Sequence, residues 1–149
     1  MLIAVSAEAT EQYTEEQVFG FVSDVSGFEG QFYSVYDYCS PYAGKLVAAS
    51  ALNAWKNTNN QLLADRDRIV ANLAQGAVLS EDDATNLKRI VEGFVNKARN
   101  RDSLYKDLIN EPDKFFACAK RFGEMNSSLM NFKNIAPASY EFWKKYVAP

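Results

Sequence analysis

Apolar residues recur every three or four positions through most of the chain, the spacing that lines one face of a helix. Val18, Phe21, Val22 and Val25 open the pattern. Thr14 with Gln17 three residues on makes a capping box, and Tyr13 and Val18 are spaced for a hydrophobic staple, so a first helix is predicted from Thr14. Gly27 is expected to end it. Phe32, Val35, Tyr36 and Cys39 then predict a short second helix. A half-buried strand fits this stretch poorly, because neither alternate set of residues is polar. Ser40-Pro41 reads as a serine cap followed by a proline at the first helical position. A helix–helix corner is therefore expected there.

From Pro41 one long helix is predicted to about Gln75, with Gly76 closing it. Its apolar positions include Leu46, Ala49, Leu52, Trp55, Leu62, Leu63, Ile69, Val70 and Leu73. A break in the polar run at residues 56–61 (KNTNNQ) is the alternative, since most of these residues have middling or poor helix propensity. Ser80 caps the next predicted helix, with Asp82 and Asp83 in its first turn where the dipole favours acids. Along it Ala84, Leu87, Val91, Phe94, Ala98, Arg101, Tyr105 and Leu108 alternate steps of three and four. Another helix is expected from Asn110 or Glu111, with Phe115, Cys118, Ala119 and Phe122 on one face and an extension through Met125, Leu129 and Met130 to Phe132. A last amphipathic helix sets Tyr140, Trp143 and Val147 against Lys144 and Lys145. The fold class is all-α: a single-domain helical bundle of five or six helices over residues 14–149.

Composition narrows the chemistry. The chain has 149 residues, the usual size of one domain, and 48% of them are hydrophobic, which suffices for a core. There is no histidine. That excludes Ser-His-Asp and Cys-His catalysis and a Glu-x-x-His di-iron site. Neither GxGxxG nor GxxxxGK[ST] occurs. Helix capping accounts for Glu81, Asp82 and Asp83, which lack the alternation of a calcium loop. No cofactor and no metal site is expected. Net charge is −3 without a basic stripe, so nucleic acid is not an expected partner. No apolar run is long enough to span a bilayer, so no integral membrane segment is expected.

The first 13 residues read as a signal-peptide remnant or a disordered N-terminus. Val5-Ser6-Ala7 and Ala7-Glu8-Ala9 carry small residues at signal-peptidase positions, although no basic segment precedes them. Cys39 and Cys118 are too far apart for a CxxC motif or a zinc knuckle. One structural disulfide is expected, worth ~4.5 kcal/mol by chain entropy. Two buried thiols are the alternative. The expected location is periplasmic or extracellular, with the cytoplasm as the alternative.

Candidate binding residues are few. Tyr33, Tyr36, Tyr38 and Tyr42, with Phe32, are expected to pack the corner around the disulfide; their competing role is to line a pocket. Arg101 and Arg66 interrupt apolar stripes, as structural ion pairs or as receivers of an anion. Asn53, Asn57, Asn59 and Asn60 read as a solvent face. Trp143 or the Tyr33–Tyr42 group is the candidate interface anchor. The expected function is a non-enzymatic, exported binding protein of the inhibitor or immunity type, contacting another protein, with a homodimer as the second arrangement. A small-molecule carrier with an aromatic pocket and a histidine-free enzyme are the alternatives.

Overall fold

The computed structural model of the chain describes residues 2–3, 13–76 and 81–148. The reading of residues 1–13 therefore lies outside the described residues, except at Leu2, Ile3 and Tyr13, and so does the Ser80 cap. Strand β1 (Leu2–Ile3) pairs antiparallel with β2 (Tyr13–Thr14). Among the described residues every other element is helical. Tyr13 is buried, its ring against Phe142 and Tyr146, and belongs to the core.

Helix α1 (Glu15–Ala43) starts as expected. Thr14 Oγ1 accepts from the Gln17 amide at 3.2 Å, and Gln17 Oε1 accepts from the Thr14 amide at 2.8 Å. It then runs unbroken through both the Gly27 stop and the Ser40-Pro41 start. Val18, Phe21, Val25, Phe28, Phe32, Val35 and Cys39 step by three and four along its whole length, and all are buried. That stripe outweighs the ~1 kcal/mol that a helical glycine costs. Pro41 falls in the last turn, and the Ser40 hydroxyl donates back to the Tyr36 carbonyl at 2.5 Å instead of capping a new helix. The corner lies three residues beyond Pro41, at Gly44. Its φ of 87° and ψ of 157° belong to a region open essentially to glycine. The Gly44 amide donates to the Ser40 carbonyl and its own carbonyl accepts from Ala48, so one residue ends one helix and begins the next.

Helix α2 (Lys45–Gly76) has no break at the polar run. Lys56, Asn57, Thr58 and Asn60 face solvent, and the Asn59 side chain donates to the Trp55 carbonyl. Leu46 and Ala49, expected on the buried face, are exposed; Ala48, Trp55, Leu62 and Ile69 carry it at seven-residue spacing.

Helix α3 (Glu81–Arg99) stops well short of Leu108. The Arg101 amide bonds the Ala98 carbonyl, and the Asp102 carbonyl accepts from Tyr105 and Lys106. Asn100, Asp102 and Ser103 favour such turns over helix. Arg101 and Tyr105 are thus not on the α3 stripe, and Leu108 reaches the core from a 3-10 turn (Lys106–Asn110). Helix α3 lies close along α1 at Gly30, where an added Cβ would collide with the Val95 carbonyl oxygen and sit 2.7 Å from Ala98 Cβ.

Helix α4 (Lys114–Met125) is capped by Asp113, which accepts from the Phe116 amide, rather than by Asn110 or Glu111. Cys118, Phe122 and Met125 are buried, but Phe115 is 57% exposed: its stripe begins beyond the end of the core. The helix does not continue to Phe132. Asn126 and Ser127 turn their side chains back onto the Phe122 and Glu124 carbonyls and end it. A 3-10 turn (Ser128–Met130), α5 (Phe132–Ile135), α6 (Pro137–Phe142) and a final π turn (Trp143–Val147) follow. Most buried apolar residues form one connected cluster, in which Trp55 lies against Phe32 and Phe28 at 4.9 and 5.2 Å between ring centres.

Candidate functional site

The sulfurs of Cys39 and Cys118 lie 2.09 Å apart, at disulfide distance, and both residues are fully buried. The bond ties the last turns of α1 to α4. Tyr38 lies flat on Tyr105, 4.6 Å between ring centres, and meets Tyr42 at 5.5 Å. Burial first, then the neighbouring Tyr42 and Tyr105, raises the Tyr38 hydroxyl above its usual pKa. Lys114 Nζ stands 5.8 Å from the Tyr42 ring while donating to the Ile109, Glu111 and Leu108 carbonyls. Tyr36 stacks on Phe32.

Tyr33 has a different neighbour. The Arg99 guanidinium sits 4.8 Å over its ring and binds Asp37 through two hydrogen bonds, 2.5 and 2.7 Å long. This pairing fastens the end of α3 to α1. The four tyrosines therefore have different neighbours: Tyr33, Tyr38 and Tyr42 meet residues beyond α1, and Tyr36 meets Phe32 within it.

Arg66 is 5% exposed. Its Nη1 donates to Glu29 at 2.9 Å and Ser26 at 3.4 Å, and its Nε to Asp67 at 3.0 Å. It borders a cleft of about 550 Å³ between α1, α2 and α3, lined also by Val70 and by Lys88, Val91, Glu92 and Val95 of α3. The guanidinium there is already matched by two carboxylates. Trp143 is also committed. Its indole N–H donates to Asp65 at 2.7 Å, and the buried Asp65 accepts from Gln61 and Arg68 as well. Arg68 in turn donates to the Val147 carbonyl.

Arg101 is exposed, and its own carbonyl accepts from the Ser34 hydroxyl. With Lys97 it borders a groove of about 370 Å³ between α1, α3 and the α5–α6 junction.

One feature was hidden in the sequence. Tyr42, Leu46, Phe115 and Phe116 are all exposed, at 42, 88, 57 and 65%, near the disulfide end. Tyr42 follows Cys39 by one helical turn, Phe115 precedes Cys118 by one, and Leu46 borders a shallow depression with Phe122 and Gly123. The doublet Phe115-Phe116 was the available signal: two adjacent rings on a helix cannot both face the side that Cys118 faces.

Among the described residues no group of three histidine, cysteine, aspartate or glutamate side chains could hold a metal ion, and no helix is long and apolar enough to cross a membrane. Fold and surfaces define an all-α, disulfide-linked bundle whose charged and aromatic side chains chiefly fasten helices together. Comparison with protein-family models, curated proteins and solved structures finds no match for the chain.

Proposed function

We propose that this chain is a non-catalytic protein of the inhibitor or immunity type, acting by contact with another protein in the periplasm or outside the cell. The observation that carries the reading is the exposed apolar set at the disulfide end: Tyr42, Leu46, Phe115 and Phe116. Large exposed apolar residues gathered at one end of a protein mark interaction surfaces, and aromatic anchors supply most of the energy in them. The Cys39–Cys118 bond supports the compartment, because disulfides persist where conditions are oxidising. It also holds the two helices bearing Tyr42 and Phe115 in fixed relation, which lowers the ordering cost of binding.

The test is binding by the intact, oxidised protein and by its Leu46→Ser/Phe115→Ser/Phe116→Ser variant. Cross-linking in the exported fraction should recover a defined partner with the parent protein. Purified, that partner should lose at least 100-fold in affinity for the variant, whose circular dichroism is unchanged. Equal affinity for both proteins, or no partner for the parent, would sink the reading. Loss of a sedimenting dimer in the variant would show that the partner is a second copy.

A further inference from the structure

We propose that the groove bordered by Lys97 and Arg101 is a binding site for a small anion that carries an apolar body. The inference does not rest on the contact surface at the disulfide end. Three observations carry it.

The first is the state of the cations. Arg66, Arg99 and Arg121 each hold a carboxylate. Lys97 and Arg101 border the same groove, and among the described residues neither side chain has a hydrogen bond or an ion pair. The second is the state of Asp24, the one carboxylate that borders the groove among the described residues. Asp24 Oδ2 accepts from the Ser139 hydroxyl at 2.5 Å, which engages that oxygen with the α6 segment. Among the described residues the groove keeps two positive side chains against one negative. The third is its floor. The half-buried Phe94 and Ile135, with the buried Phe28 behind, line it with apolar surface, and Gln31 adds an amide donor. A volume of about 370 Å³ suits a single ring system or a short alkyl chain.

A carboxylate, sulfonate or phosphate monoester meets these demands. Its head group would take charge-assisted hydrogen bonds from Arg101 and Lys97 while its body covers Phe94. An uncharged molecule of the same shape gains only the floor.

The experiment is calorimetric titration of the full chain with 2-naphthalenesulfonate and with the uncharged 2-naphthalenemethanol. The sulfonate should bind at least tenfold more tightly, and salt should weaken it. Lys97→Ala/Arg101→Ala should abolish that advantage, while Lys97→Arg keeps it. Phe94→Ala should weaken both compounds. Lys88→Ala, in the other cleft, should change neither. The exposed positions of Lys97 and Arg101 leave the fold intact, which an unchanged melting curve verifies. Equal affinity for the two compounds, full sulfonate binding by the double variant, or no sulfonate binding up to millimolar concentration would each overturn the assignment.

Discussion

Gly30 sets how closely α1 and α3 can run. A methyl group there would meet the Val95 carbonyl and Ala98, and neither is the far end of a flexible side chain. Gly30→Ala should therefore lose ~2 kcal/mol or more in urea unfolding, despite the ~1 kcal/mol that alanine returns in helix propensity. Gly20, on the same helix, has nothing within 4 Å of an added Cβ. Gly20→Ala should gain ~0.5–1 kcal/mol, so the two substitutions have opposite signs. Titrating groups show another residue-scale effect. Hydrogen bonding from Arg121 holds the Asp107 carboxyl below its usual range. Between that folded value and the ordinary unfolded value near 3.9 the unfolded chain binds more protons, so the contribution is complete above about pH 4 and is lost as pH falls through the folded value. Asp107 is largely exposed, and Asp107→Asn should flatten the acid limb of a stability profile by less than ~1 kcal/mol. Tyr38 has the opposite sense. Its raised pKa means stability declines as pH climbs from about 10 through the folded value, and Tyr38→Phe should flatten that alkaline limb.

At the scale of elements, sequence and structure agree on the kind of element more than on its ends. The all-α class and the unbroken α2 were legible from apolar spacing, and the Thr14–Gln17 cap from its capping box. Boundaries were less so. The three-and-four rhythm from Val18 to Cys39 passes straight through Gly27, and following it would have given one helix instead of two. Extending the same rhythm past Ala98 misled, because Arg101, Tyr105 and Leu108 keep the spacing while Asn100 and Asp102 turn the backbone. Partners distant in sequence were not readable at all. Arg66 looks free until Glu29, 37 residues earlier, is seen beside it, and Trp143 until Asp65, 78 residues earlier, is. The Trp143–Asp65 bond, with Arg68 on Val147, holds the C-terminal segment on α2. Trp143→Phe should cost ~1–3 kcal/mol, since it strips one donor from a buried carboxylate. Amide exchange should quicken in residues 137–147 before it does in α1.

For the whole molecule the disulfide matters most. Both cysteines are completely buried, so native protein should resist alkylation in the presence of reductant until denaturant is added. The double variant Cys39→Ala/Cys118→Ala should lose ~3–4.5 kcal/mol, less whatever structure the unfolded chain retains. Equilibrium denaturation of the oxidised and variant proteins measures that difference directly. The even cysteine count made the bond foreseeable. What lies outside it, the aromatic rim and the Arg101 groove, depends on how α1, α3 and α4 cross, which no local pattern encodes.

The same bond gives the chain an unusual covalent shape. Cys39 and Cys118 are 79 positions apart, and both α2 and α3 fall between them. The polypeptide is thus a closed ring with two arms: one carries most of α1, the other runs from α4 to the C-terminal turn. Arg101, exposed beyond the end of α3, lies in the ring. A protease that cuts after it opens the ring but releases nothing. On a non-reducing gel the nicked protein should still run as one chain, and only added thiol should free the two pieces.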